Sequence, residues 1–166
     1  INDGAKLAAG VSGLVVANNI VTTGSGLIDQ GAGTFQLDGV IGGVGSISTV
    51  GTGELILNGN NTFSGDLGIN VAGSTVTLGT NTAAGTSGIA LNNGATLKAG
   101  VSGLVVANNI VTTGSGLINQ GAGVMTLNGT IGGAGSISDR KSGVQGKSVD
   151  LGGRRIIKKK MPYLAR

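Results

Sequence analysis

Apolar residues recur through the first 138 positions in runs too short to form a helix face, with glycine between them. Thr34-Phe35-Gln36-Leu37-Asp38 alternates polar and apolar, and Val124-Met125-Thr126-Leu127-Asn128 keeps apolar residues second and fourth and polar residues third and fifth. A period of two turns one side of an extended strand to a core and the other to water. The same reasoning predicts short strands at Ala5–Ala8, Leu14–Ala17, Asn19–Thr22, Leu27–Asp29, Thr34–Asp38 and Ser46–Ser48. It adds Glu54–Asn58, Leu67–Val71, Ser74–Leu78 and Gly88–Leu91, then Ala95–Lys98, Leu104–Ala107, Asn109–Thr112, Leu117–Asn119, Val124–Asn128 and Ser136–Ser138. No helical period of useful length appears before residue 139.

The strands are copied. Ala9–Ile28 returns unchanged at Ala99–Ile118, and 37 of 48 positions agree between 1–48 and 91–138, an offset of 90. A long repeat of short strands predicts a stack of similar units. Asp-Gly and Asn-Gly steps such as Asp38-Gly39, Asn58-Gly59 and Asn128-Gly129 mark tight corners, which suit hairpins as well as coils. The shortness of the strands, the length of the repeat and the paired glycines favour an all-β parallel solenoid. A turn of roughly 20 residues makes about seven coils, with Phe35, Leu37, Met125 and Leu127 facing inward at equivalent positions. The pairs Asn18-Asn19, Asn60-Asn61, Asn92-Asn93 and Asn108-Asn109 either form amide ladders between coils or simply favour turns.

Composition narrows the chemistry. Thirty-five glycines without a Gly-X-Y period exclude collagen, and the Val/Ile/Leu content argues against a disordered linker. There is no histidine, cysteine or tryptophan, so the body has no imidazole base, thiol nucleophile or transition-metal ligand set. No catalytic, cofactor-binding or metal residues are assigned. The net charge of +4 divides unevenly: residues 1–138 hold two bases against five acids (−3), and residues 139–166 hold nine against two (+7). The body therefore lacks the basic patch and stacking aromatics of a nucleic-acid binder. No apolar run is long enough for a membrane span and no signal-peptide pattern appears. Because Ile1 already lies inside a repeat, the chain is expected to be a fragment with open strand edges, prone to associate.

Residues 51–65, GTGELILNGNNTFSG, carry Gly51, Gly53, Leu55, Leu57, Gly59, Asn61, Thr62, Phe63, Ser64 and Gly65 in a distinctive order. With Ile69, VTLG (76–79) and GIALNNGATL (88–97), this order resembles the autotransporter-associated β-strand repeat. GVIGGVGSIS (39–48) looks like the strand that introduces it, while INVAGSTVTLG (69–79) departs from the pattern and reads as a corner insertion. The resemblance covers nearly all of 1–138. It implies a right-handed parallel β-helix in the passenger of a type V autotransporter, exposed at the bacterial cell surface and carried there by a C-terminal barrel that this chain lacks. The function it implies is a structural and display stalk supporting adhesion, with a host-surface or carbohydrate ligand. The alternative is a fragment of a carbohydrate-active β-helix enzyme, which needs clustered carboxylates. Asp3, Asp29, Asp38, Glu54 and Asp66 are instead scattered, and Asp29 and Asp38 become Asn119 and Asn128 in the second copy.

Other motifs fail on inspection. GGVGSI (42–47) and GGAGSI (132–137) lack the aspartate of a calcium nonapeptide. Asn60-Asn61-Thr62 and Asn128-Gly129-Thr130 match the glycosylation acceptor by chance in so Asn/Thr-rich a chain. GVQGKS (143–148) has Lys141 where a phosphate-binding loop needs its first glycine.

After Ser138 the repeat should continue as TVGTGELIL, as it does after Ser48, but glycine-spaced patterning stops and Arg154-Arg155 and Lys158-Lys159-Lys160 crowd in. DRKSGVQGKSVDLGGRRIIKKK (139–160) resembles the translation of a sequencing-library adapter followed by poly-A, with Gly143 and Gln145 as the departures. The expected organisation is a β-helix body, 1–138, and a basic tail, 139–166, foreign to the natural protein. Removing 139–166 is expected to leave the β circular-dichroism spectrum and cooperative unfolding of the body intact. Unfolding on truncation would make the tail part of the fold.

Overall fold

The computed structural model describes residues 1–140 and the backbone of Ser148–Val149. The chain winds into a parallel β-solenoid of three sides. One side stacks β1 (Lys6–Ala8), β4 (Ser25–Asp29), β7 (Ser46–Thr49), β9 (Leu67–Ile69), β11 (Ile89–Leu91), β14 (Ile110–Val111) and β17 (Ile131–Gly132). The second stacks β2 (Leu14–Val16), β5 (Thr34–Leu37), β8 (Glu54–Leu57), β10 (Thr75–Leu78), β12 (Ala95–Ala99), β15 (Ser115–Asn119) and β18 (Ser136–Arg140). The third side holds two parallel pairs, β3 (Ile20–Thr22) with β6 (Ile41–Gly43) and β13 (Leu104–Val106) with β16 (Met125–Leu127). Each of these lies between a second-side strand and the next first-side strand. Thr62 N donates to the Ile41 carbonyl (2.9 Å) and Thr86 N to that of Phe63 (3.0 Å), which carries the third side across the gap between the pairs. β19 (Ser148–Val149) adds an antiparallel strand beside β18.

Register sets the turn length. Lys6 pairs with Leu27, Phe35 with Leu55, Val76 with Leu97 and Leu67 with Ile89, offsets of 20 to 22 residues. The turn is thus near 21 residues and the body holds about six turns, where a 20-residue turn had suggested seven. Within residues 1–138 two strands escape the sequence reading, β6 and β17. Both are short and glycine-containing, and each becomes a strand because the neighbouring turn supplies its hydrogen bonds.

Inward positions form columns. On the second side Leu14, Phe35, Leu55, Val76, Leu97 and Ile118 follow one another from turn to turn, beside Val16, Leu37, Leu57, Leu78 and Ala99. The first side contributes Ile47, Leu67, Ile89, Ile110 and Ile131. Phe35, Leu55, Leu57, Phe63 and Leu67 are fully buried. The core is therefore a stack of branched aliphatic layers, each covered by the turns above and below, at ~1.5–3 kcal/mol per buried side chain. Asp139 follows Ile118 in the inward column, and Gln120 Nε2 donates to its Oδ2 (2.8 Å).

Phe35 and Met125 both face inward, as the alternation requires, but on different sides of the solenoid: Phe35 in β5 on the second, Met125 in β16 on the third. Leu127 is only partly buried. The expectation of equivalent positions holds for orientation and fails for placement. Ninety residues are four turns of 21 and six residues over, close to one further side. All strands of the second copy accordingly lie one side on from their counterparts: β1, β4 and β7 on the first side correspond to β12, β15 and β18 on the second. Local geometry survives the move. Gly43 and Gly133 have φ of 107° and 108°, and a Cβ on either would lie 2.1 or 2.0 Å from the carbonyl oxygen of Thr22 or Thr112 in the turn below.

Gly43→Ala is expected to cost at least ~1 kcal/mol from the positive φ alone, because the carbonyl it meets is backbone and cannot swing away. Leu55→Ala, in the middle of the column, is expected to cost about 2–5 kcal/mol. Urea unfolding followed by circular dichroism measures both.

Candidate functional site

The outer surface repeats like the core. Along the second side Thr34, Glu54, Thr75, Thr96, Leu117 and Ser138 form one outward column, and Gln36, Ile56, Thr77, Lys98, Asn119 and Arg140 the next. Side chains in such columns stand one strand spacing apart, ~4.8 Å, so polar neighbours meet between turns instead of along the chain.

All five body acids are engaged in this way. Lys6 Nζ donates to Asp29 Oδ2 (2.9 Å), and Gly31 N to Asp29 Oδ1 (3.0 Å). Glu54 Oε1 accepts from Thr77 Oγ1 (2.5 Å), one turn on, and from Lys98 Nζ (2.9 Å), two turns on. Asp38 Oδ1 accepts from Gln36 and from Asn58 (both 2.8 Å), Asp66 Oδ1 from Ser87 Oγ (2.6 Å) and Gly88 N (2.9 Å), and Asp3 Oδ1 from Ser25 N (2.6 Å). No two of these acids share a hydrogen-bonding partner. Hydrogen bonds from the Lys6 ammonium and the Gly31 amide hold the Asp29 carboxyl below its ordinary value. For Glu54, partial burial pushes upward, but the bonds from Thr77 and Lys98 outweigh it and the carboxyl is also held low. Both acids serve as clamps between turns.

The asparagines do the same work, chiefly through side-chain bonds to backbone. Asn61 Oδ1 accepts from Ile41 N (2.7 Å) while its Nδ2 donates to the Ala83 carbonyl (2.7 Å), so one buried amide joins three turns. Asn19 and Asn109 each accept from the backbone of the following turn, at Val40 and Thr130 (both 2.9 Å). One amide-to-amide bond occurs, Asn92 Nδ2 to Asn70 Oδ1 (2.9 Å). The asparagines are thus more than turn formers, yet they build no continuous ladder.

An open recess of about 290 Å³ lies on the first side, lined in part by Asp66, Ser87, Gly88, Ala90, Asn109 and Val111. Among the described residues no cluster of three or more Asp, Glu, His or Cys side chains is placed to hold a metal ion. No helix among them is long and apolar enough to cross a membrane. Most of GVQGKS and both basic runs, with Ile156-Ile157, lie outside the described residues.

No protein-family model matches the chain, and no solved structure matches it. Among curated proteins it is 33% identical over 117 residues to "Adhesin BmaC autotransporter" of Brucella suis biovar 1 (strain 1330), a match covering 68% of this chain. The chain spans about 3% of that relative's length.

The ion pairs set a direction for pH. Asp29 and Glu54 are stabilised as carboxylates in the fold, so their contribution is present above the ordinary carboxylate range and lost as pH falls through their lowered folded values. Acidification is expected to lower the urea midpoint. Glu54→Gln is expected to flatten that dependence while weakening the fold at neutral pH, and an unchanged pH profile would contradict the clamp. The parallel solenoid and the likeness to an autotransporter adhesin together support an autotransporter passenger-like role.

Proposed function

We propose that this chain is a structural and display segment of a bacterial autotransporter passenger, a β-helical stalk that holds adhesive surface away from the cell. The observation that carries the reading is the coil stack, whose acids and most of whose asparagines are spent on joining turns. Such a body converts chain length into stiff reach, because each turn adds ~4.8 Å of axis. The likeness to an autotransporter adhesin supports the class and the surface location. Any ligand is a host-surface molecule or glycan met by a broad polar column such as that of Thr34, Thr75 and Thr96. The stalk needs no cofactor or metal and performs no reaction. The carbohydrate-active alternative gains nothing from carboxylates standing on separate turns with separate partners. Residues 139–166 belong to the tail read as foreign, and a carboxylate at 139 in an otherwise apolar column of Leu, Phe, Val and Ile supports that boundary.

Fused upstream of a translocator barrel in a Gram-negative host, residues 1–138 are expected to reach the cell surface, become accessible to external protease and raise binding to host cells or glycan arrays. Retention in the periplasm, or surface display without any gain in binding, would count against the stalk and the adhesive role respectively. Purified protein is expected to release no reducing ends from polysaccharides. Sustained turnover abolished by Glu54→Gln or Asp66→Asn would establish the enzyme instead.

A further inference from the structure

The 90-residue repeat is not a whole number of turns, and the fold accepts it. Twenty identical residues, Ala9–Ile28 and Ala99–Ile118, occupy different sides of the same solenoid. Leu14 heads a column on the second side, while Leu104 lies on the third, where it pairs with Met125 of the following turn. Corner geometry is nevertheless conserved between copies: Gly13 and Gly103 share φ of 79°, and Gly31 and Gly121 share 63°. Cross-turn bonds are conserved too, since Asn19 to Val40 and Asn109 to Thr130 have the same length, 2.9 Å. A segment therefore carries its own strand and corner but not its side. The side is decided by how many residues precede it.

We propose that the 90-residue unit acts as an indexing module: each copy lengthens the solenoid by about four and a third turns and rotates everything beyond it by one side. The physical basis is that the inward surfaces of all three sides are mainly aliphatic, with Ile41, Leu104 and Val106 beside Phe63 and Met125 on the third, so a shift by one side exchanges one apolar neighbour for another of similar kind. Change in copy number then alters two properties of the molecule at once. Reach grows by about 20 Å per copy at ~4.8 Å per turn. The direction in which a surface column projects, relative to the preceding part of the chain, steps round by one side. A repeat of a whole number of turns would have altered length alone.

The test inserts a further copy of residues 9–98 between Lys98 and Ala99 of the full chain. The chain has no cysteine of its own, so two introduced cysteines report a single contact. Lys98 pairs with Asn119 on the second side, whereas Asp29 pairs with Ala8 on the first. Indexing puts Asp29 of the inserted copy where Asn119 stands, beside Lys98. With Lys98→Cys and Asp29→Cys in the inserted copy, oxidation is expected to close an intramolecular disulfide, read by mass spectrometry on the monomer. K98C/N119C in the parent chain is the reference for that geometry. The extended protein should also unfold cooperatively at a temperature no lower than the parent's, and its longest dimension in small-angle scattering should increase by about 20 Å. A folded protein in which the pair stays reduced while the reference pair closes would mean that the inserted copy has regained its original side, which overturns the proposal. Loss of cooperative unfolding on insertion overturns it as well, since the sides would then not be interchangeable.

Discussion

Backbone hydrogen bonds between residues about 21 apart hold each turn of this solenoid to the next, and the rest of the structure depends on that spacing. A strand of three or four residues buries too little to persist alone. Stacked in parallel register, the same strands satisfy their amides and carbonyls on both neighbours and close an aliphatic column from which water is excluded. The register also places unlike polar groups opposite one another. Glu54 meets Thr77 and Lys98, and Asp29 meets Lys6, only because one and two turns bring them together. Sequence neighbours contribute little to either effect.

This dependence explains the composition. Where the chain turns between sides, the turn below leaves no room for a side chain, as at Gly43 against the Thr22 carbonyl. Glycine is present there because two backbones approach closely and because φ is positive. Bulky aromatics would have few layers to fit, and the two phenylalanines, Phe35 and Phe63, are both fully buried. The acids and asparagines of the outer surface tie one turn to the next.

Much of this was legible in the sequence. Alternation at Thr34–Leu37 identified the inward residues, and the duplication, with its glycine corners, identified a stack. What escaped it was phase. Side chains report whether they face in or out, but no local feature of Ala9–Ile28 says which side of the solenoid it occupies, since its identical copy occupies another. Turn length is likewise a property of the stack, because one residue more or less per turn can be absorbed at a corner, as the 20- and 22-residue offsets around Leu67 illustrate. The clamps of Glu54 and Asn61 were equally invisible, their partners lying one or two turns away.

The central claim is parallel stacking in a 21-residue register, and nuclear Overhauser contacts between backbone protons test it most directly. On the second side the account predicts contacts linking Glu54 to Thr75 and Thr75 to Thr96, repeated along the strand at Leu55, Val76 and Leu97 with a constant offset. Contacts whose residue numbers converge on the intervening corners, as in antiparallel hairpins, would contradict it.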